Sequence, residues 1–512
     1  MKAAWLGVLC LRLAAQVTTS QYDNARTGAN LHETILTPRN VNSAQFGKVF
    51  SFPVDGDVYA QPLYLPGVEI PGKGTHNVVY AATEHDSVYA FDADGKVTEP
   101  LWKVNFLGPG AQAVPANDVH CPFIRPEIGI TPTPVIDRQS GTLFVLARTK
   151  ERGRAVQRLH ALAITTGVEK FGGPKEIQAS VKGRSGELDF DALRELPRAG
   201  LLLANDRVYL TWGSSCDVAT YHGWVIAYDA HTLAQTAVFN TSPDAGESGI
   251  WQGDAAPAAD AQGNVFVVTG NGKFNAASGG RDYGDSVLKL TSGLEVADYY
   301  TPYNQNQLNG SDADLGSGGP LLLPDQPGPH PHLMLVAGKG EVLYLLDRDH
   351  LGKYRPDFAQ DALQTIPLRG GFFGAPAYWN GHVYALASND VLKDFKVERG
   401  QLTGPVASGA ERFIDPGATP AISANGTRDG IVWILQSKGW RSPDRPAVLR
   451  AYDAVNVGRE LYNSEQNSTR DRAGMCLRFA VPTVVNGRVY VGAKNRVDVY
   501  GLLSLPGPPG ER

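Results

Sequence analysis

The sequence predicts an all-β protein: an eight-bladed β-propeller of four-stranded antiparallel blades, with an N-terminal strand closing the last blade. Three observations carry this. One phrase recurs, in which an apolar strand is followed by a loop, an aromatic strand ending in Tyr, and an Asp turn. Its clearest copy is VVYAATEHDSVYAFDADG, Val78 to Gly95, and further copies begin at Gly141, Arg207 and Leu333. Recurrence every few dozen residues means one supersecondary unit laid down many times. Each unit also opens on an apolar strand carrying Pro. Finally, one early strand has no unit of its own.

The Pro-started strands are AQPLYLPG from Ala60, TPTPVID from Thr131, DAAPAAD from Asp254, GGPLLLPD from Gly318, GAPAYWNG from Gly374, ATPAISANG from Ala418 and AVPTVVNG from Ala480. The stretch from Leu193 to Asn205 fills the remaining slot more loosely, giving eight inner strands. Short β-type runs such as LWKVNF from Leu101, QTAVFN from Gln235 and VADYY from Val296 lie between them. The early run FGKVFSFPVDG, from Phe46, precedes all eight units and is expected to pair with the last, near Leu503. Eight units over Phe46 to Leu503 give about 57 residues each, longer than a WD-type blade. Radial blades with a shared closing strand remove exposed sheet edges. A string of separate β-sandwiches is disfavoured because no linker divides the units.

Gly 57 and Pro 34 in 512 residues supply the turns such a ring needs. Charged residues make up 19% and the net charge is −5, so there is no basic footprint for nucleic acid or membrane headgroups. The body has no apolar run long enough to span a membrane. The start, MKAAWLGVLCLRLAAQVTTS, has Lys2, an apolar stretch broken by Arg12, and small residues at Ala14 and Ala15, as in a secretory signal. Residues 1–20 therefore read as a signal peptide, 21–45 as an N-terminal extension, 46–503 as the propeller and 504–512 as a flexible tail. A secreted or periplasmic monomer is expected. Removal of the leader takes Cys10 and leaves Cys121, Cys216 and Cys476. A Cys121–Cys216 pair with one free thiol is the first pairing to expect; three small buried hydrophobes are an equal alternative. No CxxCH occurs, which excludes covalently attached haem, and no Cys/His cluster has zinc spacing.

The repeat resembles that of the quinoprotein enzymes, which use pyrroloquinoline quinone (PQQ) and whose blades end in AxDxxTG followed by an outer-strand Trp. ALAITTG from Ala161 and AYDAHT from Ala227 are partial forms, and Trp102 supplies one outer Trp. The opening from Asp23 to Gly56 is similar to that of secreted bacterial propellers carrying this repeat. The resemblance covers nearly the whole mature chain and implies the eight-bladed fold. It also implies PQQ and Ca²⁺ as cofactors and oxidation of a small alcohol or sugar. The same superfamily includes propellers that only bind or scaffold a protein, glycan or cell-surface component.

A quinone site needs an aromatic plane, a hard cation held by oxygens, a cationic group at the developing oxyanion, and a carboxylate base. The resemblance implies a position for each. VVTGNG from Val267 is similar to the family's TGN segment, which makes Asn271 a calcium ligand. Trp251 stands where the stacking Trp does. Asp314, in SDADLGSGG, takes the place of the catalytic Asp and a metal ligand, and Lys339, in AGKGEV, that of the residue at the quinone oxygens. Where the family has its calcium-binding Glu this chain has Val218, with Asp217 beside it as the candidate metal ligand. The family's two adjacent Cys are replaced by His120–Cys121, and the Trp of its WD segment is absent. Glu127 is a further candidate beside the cofactor.

Each residue has a plainer reading. Asn271 suits a Gly-Asn-Gly turn, Trp251 a filled channel, Asp314 a turn cap and Lys339 an exposed hairpin. Glu84, His85 and Asp86 form either a solvated hairpin tip or part of a site, and Tyr221, His222 and Asp254 also lie where strands open onto loops. No GxSxG, P-loop or HExxH pattern points to another enzyme class.

Overall fold

Proline lacks an N–H, so within sheets it is confined to strand starts and edges. The repeated Pro accordingly marks the start of an innermost strand that pairs on one side only. In the computed structural model, which describes residues 15–218, 220–357, 362–442 and 445–503, the expected ring of eight blades is present. From the axis outward, blade 1 comprises Leu63–Ile70, Gly74–Ala82, Ser87–Asp92 and Trp102–Asn105. Blades 2 to 7 follow with inner strands Val135–Asp137, Leu202–Ala204, Ala258–Ala259, Leu321–Leu322, Ala377–Trp379 and Ala421–Asn425. Blade 8 takes Thr483–Val485, Arg488–Ala493 and Arg496–Leu502 from the C-terminal end and Phe46–Pro53 from the N-terminal end. Phe46 pairs with Leu502 and Phe52 with Val497, antiparallel. The Phe46 ring lies 5.0 Å from that of Tyr462 and 5.4 Å from that of Trp433, locking the closing strand to blade 7.

Neighbouring blades pack face to face. Phe144, Leu146 and Leu159 of blade 2 are buried against Leu210, Trp212 and Ile226 of blade 3, and Leu335 and Leu345 of blade 5 against Val383 and Phe395 of blade 6. The outer Trp102 of blade 1 donates its indole N–H to Ile164 O of blade 2 at 2.9 Å. Gly167, at φ +72°, lets that ring approach: a Cβ there would lie 2.8 Å from Trp102 Cε3. Trp379 repeats the bond between blades 6 and 7, to Gly426 O at 2.8 Å.

The N-terminal segment does something the sequence did not announce. A ring of eight blades leaves an axial channel onto which the inner strands turn unpaired backbone groups. Residues Val17 to Asn30 pass round this channel and bond one blade after another. Val17 exchanges two backbone bonds with Tyr64, Thr18 O accepts from Ile136, and Asn24 O accepts from Ala259. The Asn24 side chain donates to Leu203 O. Ala25, Thr27 and Gly28 carbonyls accept from Leu322, Tyr378 and Ile422, and the Asn30 side chain donates to Val484 O. In seven blades the bonded residue is the second after the repeat's Pro; in blade 3, Leu201 stands in the Pro position. Arg26 is fully buried at the hub and donates to Pro257 O, Ser20 O and Thr19 Oγ1. The segment thus closes the channel, and the folded ring includes Val17–Ser20. The leader residues 1–14 and the tail residues 504–512 lie outside the described residues. Among the described residues no helix is long and apolar enough to cross a membrane.

Candidate functional site

In an up-and-down blade, the connection into each inner strand and the hairpin between the second and third strands emerge on the same face of the ring. Trp251 and Asp314 lie on connections into blades 4 and 5; Asn271, Lys339 and Asp217 lie on second-to-third-strand hairpins of blades 4, 5 and 3. They therefore meet at one mouth of the channel. Trp251, Asp314, Lys339 and Asp217 line a single cavity of about 590 Å³.

Glycines set the approach of Asp314. A Cβ on Gly270 would fall 2.2 Å from Asp314 Oδ1 and 2.7 Å from Trp251 Nε1, and one on Gly338 would fall 2.3 Å from Asp314 O. Only hydrogen at those positions lets the loop sink onto blades 4 and 5. Asp314 Oδ1 accepts the Asn271 N–H at 2.8 Å, and Oδ2 meets Lys339 Nζ at 2.5 Å. Lys339 Nζ also contacts Asp312 Oδ1 at 2.9 Å, and the Lys339 N–H donates to Asp314 O. Burial pushes the Asp314 carboxyl above the ordinary range, against the pull of Lys339. Burial works against the charge on Lys339, but the two carboxylates win and raise its pKa. Trp251 is half-buried, with Tyr221 edge-on at 5.8 Å and an indole N–H that has no partner.

The opposite wall went unread in the sequence. The Arg478 guanidinium lies over four rings, 4.4 Å from Trp440, 4.5 Å from Phe479, 5.1 Å from Phe123 and 5.3 Å from Phe373. Arg198 lies 4.6 Å from the same Phe479 ring, and burial together with Arg478 lowers its pKa to about 9. Asp415 reaches Arg478 only at 3.8 Å, and Arg478 Nε is buried without a partner. Two neighbouring guanidinium groups with so little countercharge make an anion-seeking surface. A readable signal existed: Arg198, Phe373 and Phe479 each stand three residues before the Pro position, as Asp254 and Ser317 do in their own blades.

Cys121 and Cys216 form a disulfide that lines the same cavity, while Cys476 is free and buried. Glu127 is not on the cavity wall; its Oε1 contacts His85 Nδ1 at 2.8 Å. Glu84 and Asp86 are not a solvated tip, being 1% and 0% exposed. Glu84 accepts the Gly129 N–H and the Thr131 hydroxyl, joining two blades. His222 is buried, and its Nδ1 contacts Ser242 O rather than a carboxylate.

A flat, multiply charged anion such as PQQ suits this cavity, which offers an indole plane, a disulfide wall and two guanidinium groups with little countercharge. Calcium does not suit it. Both Asp314 oxygens are engaged, Asp217 Oδ1 accepts the Tyr221 hydroxyl at 2.6 Å, and Val218 offers no donor. Among the described residues no group of three His, Cys, Asp or Glu side chains could hold an ion. Asn271 Oδ1 is buried and unpartnered, but one amide oxygen falls far short of the six to eight that calcium takes.

The sequence matches no known family model and no curated protein. Solved structures share the fold. Quinohemoprotein alcohol dehydrogenase ADHIIG from Pseudomonas putida HK5 is 14% identical with a TM-score of 0.61, over 100% of this chain and 84% of that one. Quinohemoprotein alcohol dehydrogenase from Comamonas testosteroni is 14% identical with a TM-score of 0.59, over 96% and 82%. BamB from Moraxella catarrhalis is also 14% identical, with a TM-score of 0.51, over 89% and 99%. The PQQ-like propeller fold is therefore common to this chain, to dehydrogenases and to BamB.

Proposed function

We propose that the protein is an exported, quinoprotein-like oxidoreductase that binds PQQ at the channel mouth and oxidises a small alcohol or sugar. The observation that carries this reading is the convergence of Trp251, Asp314 and Lys339, from neighbouring blades, on one cavity facing an arginine wall. When bound, the quinone supplies a two-electron acceptor. Trp251 provides the plane on which a flat ligand lies, and Arg198 and Arg478 neutralise its negative groups. The Asp314 carboxylate takes the substrate hydroxyl proton as hydride leaves the carbinol carbon, giving an aldehyde, ketone or lactone. Its raised pKa brings it closer to the working pH of a general base. Lys339 holds that carboxylate in place and puts a positive charge beside the reacting oxygens. Export is supported by the leader-like start and by the disulfide, a bond of oxidising compartments. A leader ending at Ala15 would leave the whole channel segment in the mature chain.

The test is PQQ titration of the purified protein, followed by absorbance and tryptophan fluorescence, then dye reduction with simple alcohols and sugars. Asp314→Asn should cut dye reduction by at least about 100-fold while retaining the quinone. Trp251→Ala should weaken quinone binding about tenfold or more. If the wild type binds no PQQ, the reading fails. The alternative is a non-catalytic propeller binding a protein or glycan at the same mouth, which the incomplete calcium ligand set favours.

A further inference from the structure

We propose that the Lys339 ammonium takes the place of the divalent cation at this site, so that the pocket binds its planar anionic ligand without calcium. This rests on the quinone reading above. The ammonium is not a loose surface charge. Its side chain is 26% exposed, and Nζ sits between Asp314 Oδ2 at 2.5 Å and Asp312 Oδ1 at 2.9 Å. The backbone fixes where that side chain starts, because the Lys339 N–H donates to Asp314 O and Gly338 packs against Asp314 and Leu315. A dication bound to Asp314 would have to displace the ammonium from the carboxylate or sit beside it against strong repulsion. Displacement would have to be repaid by oxygen donors. The chain offers few, because Asn271 N–H holds Asp314 Oδ1, Tyr221 holds Asp217, and residue 218 is valine.

The substitution keeps the electrostatic service that a metal would perform. A lysine ammonium has three N–H donors. Asp312 and Asp314 take two, and the third remains for a carbonyl oxygen of a ligand in the cavity that Lys339 lines. One charge is weaker than two, and Arg198 and Arg478 on the opposite wall add positive potential to the same cavity.

Two measurements test this independently. In calorimetry without any quinone, wild type and Asp314→Asn should give the same response to calcium. Binding in the wild type that Asp314→Asn abolishes would overturn the inference. In PQQ titrations read by tryptophan fluorescence, the dissociation constant should agree within about twofold between excess chelator and millimolar calcium. Lys339→Met should weaken binding at least about tenfold, whereas Lys339→Arg, which keeps the charge, should retain most of it. Quinone binding that needs calcium would also overturn the inference. Should PQQ bind under neither condition, the quinone reading falls, and the calcium titration still decides whether Lys339 excludes the ion.

Discussion

Asp314 and Trp251 reach each other through Gly270, whose missing side chain leaves room for both. Gly270→Ala should push the carboxylate and the indole apart, because its methyl would lie 2.2 Å from one and 2.7 Å from the other. The expected outcome is a loss of quinone binding of about tenfold or more with blade packing intact, measured by fluorescence titration beside thermal melting. Glu84 shows how burial governs a residue the sequence left open. Its carboxyl is pushed up to about 8 by burial, against the Gly129 and Thr131 bonds. A folded-state pKa above the ordinary 4.5 means that the native state holds an extra proton between those values. Its contribution to stability is therefore full at low pH and is lost as pH rises through about 8. Glu84→Gln should flatten the fall in denaturation midpoint between pH 5 and pH 8, removing a stability slope of up to about 1.4 kcal/mol per pH unit. An unchanged slope would remove Glu84 as its source. That a Glu-His-Asp run lies buried could not be read locally, since its burial comes from the blade 1 to blade 2 connection folding over it.

The N-terminal segment is an element without secondary structure over most of its length, and it is held by bonds spread round the whole ring. Arg26 fastens its centre with four charge-assisted bonds, to Pro257 O, Thr19 Oγ1, Ser20 O and Asp23 O. Arg26→Met should cost on the order of 3 kcal/mol, since it removes those bonds and leaves buried carbonyls unpaired. Deleting residues 17–30 should lower the melting temperature more than Arg26→Met does, because all eight inner strands lose a partner. Equal melting temperatures for the deletion and the wild type would mean that the channel segment is not part of the folded ring. The closing strand was legible in the sequence because an apolar alternating run with no unit of its own must find an edge. The channel segment was not, because DNARTGAN carries turn-type residues and no periodic pattern. Its partners are backbone groups, which leave no mark on side-chain identity.

At the scale of the molecule, the Cys121–Cys216 disulfide ties the connection between blades 1 and 2 to blade 3 across the cavity wall. It closes a loop with a sequence separation of 95. Replacing both cysteines by serine should therefore lower stability by about 4 kcal/mol and weaken quinone binding, measured by denaturant midpoint and fluorescence titration. The sequence by itself determined the repeat, the number of blades, the closing strand and the order in which Trp251, Asn271, Asp314 and Lys339 fall on neighbouring blades. These follow from alternation, turn residues and Pro placement, which act over a few residues at a time. Only the tertiary structure decided that Arg198 and Arg478 share one wall, that Glu127 turns to His85, that Lys339 is clamped by two carboxylates, and that the channel is closed from within. The physical reason is the ring. It brings equivalent positions of distant blades together at the axis, so contacts there join residues hundreds of positions apart whose neighbours in sequence give no hint of the meeting.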